Sequence, residues 1–203
     1  MKFRWELVVV FLAFLVATTL SVTGNVNTVV FLKAFYPLDE PRFHCVDVPG
    51  HKERVNTRRP LAVHTCKEGI WHGDELFDIA ALKNGLLRMP QFDICVTAST
   101  TENAAELFLK PCVRSDLQVW QYSNYRLRLV AYPDKCLTIG IEPSRLTPGG
   151  KRLASRHVAR SLQLDPCSQL AFQRQLWRFE APQQRSGPIM PFVDSLLGQR
   201  DAR

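Results

Sequence analysis

An internal repeat of paired cysteines constrains this chain more than any other feature. The six Cys residues form three sequential pairs with similar surroundings, which define copies one, two and three: Cys45 with Cys66, Cys95 with Cys112, and Cys136 with Cys167. A second signal follows each pair: Glu-Leu-Phe at 75–77, Gln-Val-Trp at 118–120 and Gln-Leu-Trp at 175–177. An apolar run precedes each first Cys, at 29–35, 86–89 and 127–131. The same order of signals in all three indicates one unit present three times.

Short β-strands separated by turns are predicted for each copy. The alternation in 126–129, Arg-Leu-Arg-Leu, places Leu on one face and Arg on the other, and a helical period is weak throughout. One copy cannot bury its apolar face alone, so the three copies are expected to share one core. With 46% hydrophobic and 22% charged residues, the composition excludes an intrinsically disordered chain.

The paired cysteines and the Gln-x-Trp signals make residues 28–181 resemble the ricin-type lectin domain. The cysteine-rich trefoil of mannose-receptor-type proteins is a related, second resemblance. Both imply an all-β fold, a β-trefoil with pseudo-threefold symmetry, and place the repeats at about 28–85, 86–126 and 127–181. Phe77, Trp120 and Trp177 are then expected to be equivalent core residues, each preceded by a Gln or Glu that bonds to backbone.

Residues 1–24 have the three-part pattern of a secretory signal peptide. Lys2 and Arg4 precede an apolar stretch over 7–22, and Gly24 supplies a small residue near a cleavage point. We expect a secreted protein. The alternative is an uncleaved signal anchor, which would give a type II membrane protein with its folded domain lumenal or extracellular. Residues 183–203, with two Pro and two Gly, are expected to form a disordered tail.

Each copy is expected to close its own disulfide, because repeated units must be stapled in the same way. The predicted bridges are Cys45–Cys66, Cys95–Cys112 and Cys136–Cys167. The short spacing of His64 and Cys66 admits a zinc site in principle, but no Cys-x-x-Cys is present and an exported chain favours disulfides. We therefore predict no metal site and no cofactor.

The resemblance implies up to one sugar site per repeat, and copy one keeps most of its parts. In the family, an Asp lies two residues after the first Cys, an aromatic residue two before the second Cys, and polar residues at the start of Gln-x-Trp. The corresponding residues of copy one are Asp47, His64, Asp74 and Glu75. Copies two and three have Thr at the Asp position, so their sites look lost. The alternatives are a turn-forming Asp47 and a half-exposed strand residue at His64.

A long loop in copy three, residues 141–161, is a second candidate site. Its basic side chains are Arg145, Lys151, Arg152, Arg156 and Arg160. Guanidinium groups bind sulfate and carboxylate well, and mannose-receptor-type relatives bind sulfated sugars, so an acidic glycan is a reasonable ligand. Pro and Gly residues indicate an irregular loop, and the alternative is a solvated, mobile loop without a ligand.

These patterns predict a secreted or lumenal carbohydrate-binding module for acidic or galactose-type glycans or glycoproteins. The alternative is a non-catalytic trefoil scaffold that binds protein and has lost sugar recognition. An enzyme is not expected, because the sequence contains neither a Gly-x-Ser-x-Gly motif nor a phosphate-binding loop. The net charge of +7 suits anionic partners in general, but nucleic acid is not among those predicted, and the oligomeric state is left open.

Overall fold

The computed structural model describes residues 29–182. The predictions for residues 1–24 and 183–203 therefore lie outside the described residues. Within 29–182, no helix has the length and apolar character needed to cross a membrane. Helices are short and strands dominate, as predicted for an all-β fold.

Thirteen strands are joined in one hydrogen-bonded sheet. Copy one contributes β1 (Val29–Ala34), β2 (His44–Asp47), β3 (Ala62–Thr65) and β4 (Leu76–Asp78). Copy two contributes β5 (Arg88–Met89), β6 (Ile94–Ala98), β7 (Ala105–Lys110) and β8 (Trp120–Ser123). Copy three contributes β9 (Arg126–Leu129), β10 (Lys135–Ile139), β11 (Arg145–Leu146), β12 (Val158–Pro166) and β13 (Trp177–Glu180). The helical turns are a 3-10 turn (Lys52–Arg54), α1 (Ile79–Leu82), α2 (Pro148–Arg152) and α3 (Phe172–Gln175).

A disulfide-stapled pair of strands recurs in every copy. The paired strands are β2 with β3, β6 with β7, and β10 with β12. In each pair the first Cys lies opposite the residue two before the second Cys: Cys45 opposite His64, Cys95 opposite Lys110, and Cys136 opposite Asp165. The three predicted disulfides are confirmed, and they close separations of 21, 17 and 31 residues.

The aromatic residues of the repeated signal lie in the shared core. Phe77, Trp120 and Trp177 are each at most 1% exposed, in one cluster with Leu and Val side chains from all three copies. The indole nitrogen of Trp120 donates to the Val96 carbonyl at 3.1 Å, and that of Trp177 to Leu137 at 3.0 Å. Each Trp therefore ties its Gln-x-Trp segment to the strand of its own first Cys, a bond that Phe77 cannot make.

Strand β12 brings copy three against copy one. Its first half pairs with β3, placing Ala159 opposite His64 and Ser161 opposite Ala62, and its second half pairs with β10. The prediction of an irregular loop over 141–161 is wrong for part of that segment, because β11 pairs with β12 and α2 follows β11. The extended strand thereby joins the two regions in which the sequence predicted ligand sites.

Candidate functional site

The structure brings the four predicted sugar-site residues of copy one together around a fifth residue, Lys67. Asp47 ends β2 and His64 lies on the neighbouring β3, while Asp74 and Glu75 directly precede β4. Lys67 Nζ lies 2.6 Å from Asp47 Oδ1 and 2.6 Å from Asp74 Oδ2, and 4.0 Å from Glu75 Oε1. The lysine therefore neutralises much of the negative charge that the sequence assigned to a sugar site.

Lys67 was missed by the sequence reasoning, although a signal was present. It directly follows the second Cys of copy one, where copies two and three have Val113 and Ser168. Only copy one has a cation at that position, and only copy one carries Asp47, Asp74 and Glu75. This coincidence indicates that Lys67 balances the negative charge of these acids.

Burial separates this cluster from solvent. The side chains of Lys67 and Asp47 are 4% and 5% exposed, and those of Asp74 and Glu75 are fully buried. Among the described residues, Asp74 Oδ1 and Glu75 Oε1 have no hydrogen-bond partner. The structure thus assembles the predicted residues but turns three of their four side chains inward. Their role as direct sugar ligands stays a prediction.

Ionisation in the cluster follows from burial. Burial raises the pKa of Asp47 to about 8, although the Lys67 ammonium opposes that rise. Burial also raises the pKa of Glu75 well above its usual value, again against the attraction of Lys67. Burial works to lower the pKa of Lys67, but the three surrounding carboxyl groups outweigh it and the net shift is upward. At neutral pH, a protonated Asp47 therefore lies beside a charged Lys67.

The equivalent positions in copies two and three explain why those copies look unlike sugar sites. Gln118 donates from Nε2 to Thr97 Oγ1 at 2.8 Å and to the Pro111 carbonyl at 2.9 Å, and Gln175 repeats the pattern in copy three. Gln118 Oε1 accepts from the backbone nitrogen of Val113 at 2.7 Å. Each Thr at the Asp position is thus occupied by the buried Gln amide.

His64 lies where the family has an aromatic residue, and its ring is held by neighbours. Its Nδ1 lies 2.7 Å from the Thr65 carbonyl and 3.5 Å from Glu75 Oε1. The ring meets that of His157 edge to face, with centroids 5.1 Å apart. Burial lowers the pKa of both imidazoles, to about 4 for His157, so both are neutral at pH 7.

A cleft of about 440 Å³ adjoins this cluster on the β3–β12 surface. Ala62, opposite Asp47 in the sheet, and Ser161, opposite Ala62, form part of its floor. Its remaining lining combines apolar residues with three arginines and one acid: Pro49, Arg59, Pro60, Leu61, Glu142, Pro143, Arg145, Ala159 and Arg160. The cleft therefore offers apolar walls and a positive rim beside the predicted sugar site.

The five basic residues predicted to bind an anion are not gathered in one place. Arg145 and Arg160 line the cleft, whereas the exposed Lys151, Arg152 and Arg156 are not among its lining residues. Arg160 is anchored, with Nε donating to the Gly140 carbonyl at 2.8 Å and Nη1 lying 3.2 Å from Asp39. The sequence reasoning missed Arg59, which precedes β3 and lies in a different copy.

The structure does not indicate a metal site within residues 29–182. In that range, no group of three or more His, Cys, Asp and Glu side chains is arranged to hold a metal ion. The copy-one carboxylates face the Lys67 ammonium, and the sulfurs of all six cysteines are in disulfides.

Comparison with known proteins decides the fold. No protein-family model matches the sequence, and no curated protein matches it. A solved structure of the earthworm lectin C-terminal domain mutant in complex with 6'-sialyllactose aligns over 75% of this chain and 98% of its own, with a TM-score of 0.52 and 14% identity. The β-trefoil lectin of the Vibrio vulnificus hemolysin/cytolysin, with N-acetyl-D-lactosamine bound, covers 77% of this chain and 96% of its own, with a TM-score of 0.51 and 18% identity.

The chain has a β-trefoil fold. The agglutinin from Abrus precatorius also matches, over 75% of this chain and 48% of its own, with a TM-score of 0.52 and 14% identity. The predicted resemblance to ricin-type lectin trefoils is therefore confirmed at the level of structure.

Proposed function

We propose that this β-trefoil is a non-catalytic carbohydrate-binding module that takes an acidic glycan in the β3–β12 cleft. The observation that carries the proposal is the charge of the cleft, whose lining includes three arginines and one glutamate, with Arg160 already paired with Asp39. Arg59 and Arg145 are exposed, and neither side chain has a carboxylate partner within residues 29–182. The Glu142 carboxylate is already engaged, since Oε1 accepts from the Ser161 backbone nitrogen at 3.0 Å.

The shape and lining of the cleft suit a sugar better than a bare inorganic anion. Pro49, Pro60 and Pro143 supply apolar surface for a pyranose face, while guanidinium forks bind a carboxylate or sulfate in two-point geometry. A volume of about 440 Å³ also lies within the range of small-molecule sites. Two of the matched trefoils were solved with 6'-sialyllactose and N-acetyl-D-lactosamine, and the first of these sugars is acidic.

A neutral, galactose-type ligand is less well supported, because its hydroxyl groups would need carboxylates that Lys67 already occupies. The same observation favours the second candidate function, a trefoil scaffold for protein binding that has lost sugar recognition. Glycan binding separates the two, because a scaffold's partner stays bound after deglycosylation.

The protein is proposed to act outside the cytoplasm, as a secreted protein or anchored through residues 1–24. Three disulfides with no free cysteine in the described part support an oxidising compartment. N-terminal sequencing of the protein recovered from the medium or the membrane fraction tests cleavage after residue 24.

A glycan array followed by titration of the purified protein tests the proposed ligand. We expect binding of sialylated, uronate-containing or sulfated glycans, weakened by added salt. Arg59→Ala and Arg145→Ala should each reduce affinity about tenfold, the equivalent of about 1.4 kcal/mol. Arg152→Ala is the matched control, since it removes an equal charge from the same segment outside the cleft, and it should change affinity less than twofold.

Two outcomes would overturn this function. One is a folded protein that binds none of the acidic glycans. The other is equal loss of affinity in the cleft variants and in Arg152→Ala, which would mean that net charge and not the cleft attracts the ligand. The predicted direct role of Asp47 has its own test, because Asp47→Ala should then abolish binding of neutral galactosides.

A further inference from the structure

The copy-one cluster places an amine against carboxyl groups in a site closed to solvent. Lys67 Nζ lies 2.6 Å from Asp47 Oδ1 and 2.6 Å from Asp74 Oδ2, with Glu75 Oε1 at 4.0 Å. We propose that Lys67 and Asp47 join in an intramolecular isopeptide bond, a covalent cross-link within copy one. The proposal is independent of glycan binding in the cleft.

Proximity is the first requirement for amide formation between side chains. A hydrogen-bonded amine and carboxyl group bring nitrogen close to the distance of about 3–3.5 Å at which reacting atoms are poised. The disulfide between Cys45 and Cys66 lies beside the pair, since Asp47 is two residues beyond one cysteine and Lys67 directly follows the other. The Cys45–Cys66 disulfide and the pairing of β2 with β3 therefore hold the amine and the carboxyl group close together.

Neutral reactants are the second requirement, because an ammonium ion has no lone pair and a carboxylate resists attack. In water, the pair would stay ionised. Here the side chains of Lys67 and Asp47 are 4% and 5% exposed, and burial opposes charge on both. The three carboxyl groups still hold the pKa of Lys67 above its usual value, so the neutral amine is the minor form and its population limits the rate of the reaction. Burial also raises the pKa of Asp47 to about 8, which favours its protonated form at neutral pH.

Proton transfer is the third requirement, and two further acids are in place. Asp74 Oδ2 accepts a hydrogen bond from Lys67 Nζ at 2.6 Å and so lies on the path of a proton that leaves the amine. Glu75 is fully buried, and its Oε1 has no hydrogen-bond partner in the described part of the chain. Burial keeps the pKa of Glu75 high, so it is a proton donor within the cluster, with its Oε1 4.0 Å from Lys67 Nζ.

The step balances without an oxidant or a co-reactant. Asp47 starts as the protonated acid and Lys67 as the ammonium. The ammonium loses one proton, and the nitrogen lone pair attacks Cγ of Asp47 to form the C–N bond. A second proton leaves nitrogen as the C–O bond breaks, and the Asp47 hydroxyl group departs with one proton as water. Asp74 and Glu75 return to their starting states, and the products are one amide, one water molecule and one proton released to solvent.

Copies two and three cannot form this bond. Their equivalents of Lys67 are Val113 and Ser168, and their equivalents of Asp47 are Thr97 and Thr138. The cross-link would tie the end of β2 to the segment after β3 even when the neighbouring disulfide is reduced.

Peptide mapping of the reduced and alkylated full chain tests the proposal. Reduction is essential, because the Cys45–Cys66 disulfide links the same two peptides. Trypsin cannot cleave after an acylated Lys67. We therefore expect peptide 43–52 covalently joined to peptide 59–83, lighter by one water than the two together. Separate peptides 43–52, 59–67 and 68–83 would show an ion pair only and overturn the proposal.

Three single substitutions test which residues form the bond and which residue assists the reaction. Lys67→Arg keeps the charge but cannot form the amide, so its peptides should separate. Asp47→Asn should give the wild-type linked product by releasing ammonia in place of water. Glu75→Gln should slow formation of the linked product at least tenfold. A wild-type peptide 59–83 that lacks one water while peptide 43–52 is free would put the bond on Asp74 and overturn the assignment to Asp47.

Discussion

The contact between the residue after the second Cys and the Glu or Gln of the repeated signal is a junction common to all three copies. Copy one forms it with different side-chain chemistry from copies two and three. In all three, the backbone nitrogen of the residue after the second Cys donates to a buried side-chain oxygen: Lys67 to Glu75, Val113 to Gln118, and Ser168 to Gln175. Copies two and three complete the junction with an amide and a hydroxyl group. Copy one has carboxyl groups at both positions, and Lys67 supplies the donor that the Gln amide supplies in the other copies.

This difference shows how one backbone tolerates two kinds of buried polar group. An amide satisfies neighbouring carbonyl and hydroxyl groups with no net charge. A buried carboxyl group at the same position must be neutralised by a cation or a proton. In copy one, Lys67 is the cation, and the raised pKa of Glu75 favours its protonated form. The copy that carries the acidic residues of the predicted sugar site is thus the one that needs a buried cation or proton to balance their charge.

Removing the cation of copy one should have the largest effect on stability. Lys67→Met leaves Asp47 and Asp74 buried without their partner, and we expect a loss of about 3–5 kcal/mol in the free energy of unfolding. Val113→Ala, at the same position of copy two, is the matched control and should stay within about 0.5 kcal/mol because Val113 is exposed. Chemical denaturation measures both, and equal losses would contradict the comparison.

Placing the copy-one acid in copy two should have an intermediate effect. Gln118→Glu replaces the donor to Thr97 and Pro111 with an acceptor, and no lysine lies at position 113 to compensate. We expect a loss of about 1–3 kcal/mol at neutral pH, partly recovered in acid as the new carboxyl group takes up a proton. A variant as stable as wild type at pH 7 would show that the amide donor is dispensable.

The reverse exchange, Glu75→Gln, should have the smallest effect and reveal itself through pH. The pKa of Glu75 is raised in the folded protein, so its contribution to stability is present below its unfolded pKa and is lost as pH rises through the folded value. The variant does not titrate there. It should match wild type near pH 4 and exceed it by about 1 kcal/mol near pH 8. A constant difference across this range, measured by denaturation at each pH, would contradict a protonated Glu75.

The sequence determined the parts of this protein that are written three times. Cysteine pairs, Gln-x-Trp signals and apolar runs recur in register, so the trefoil, its disulfides and its core aromatics could be predicted from them. The physical reason is redundancy, because a pattern that one copy leaves ambiguous is decided by the other two. The resemblance to lectin trefoils likewise predicted which copy-one residues would meet.

Only the tertiary structure decided what those residues face. The motif predicts that Asp47, Asp74 and Glu75 meet, but Lys67 lies outside it, and its ammonium pairs with Asp47 and Asp74 within a buried cluster. The cleft depends on the pairing of β3 with β12, which brings Arg59 of copy one near Arg145 of copy three. A local motif does not predict how deeply its side chains are buried or which distant strands they contact, because both depend on how the three copies pack together.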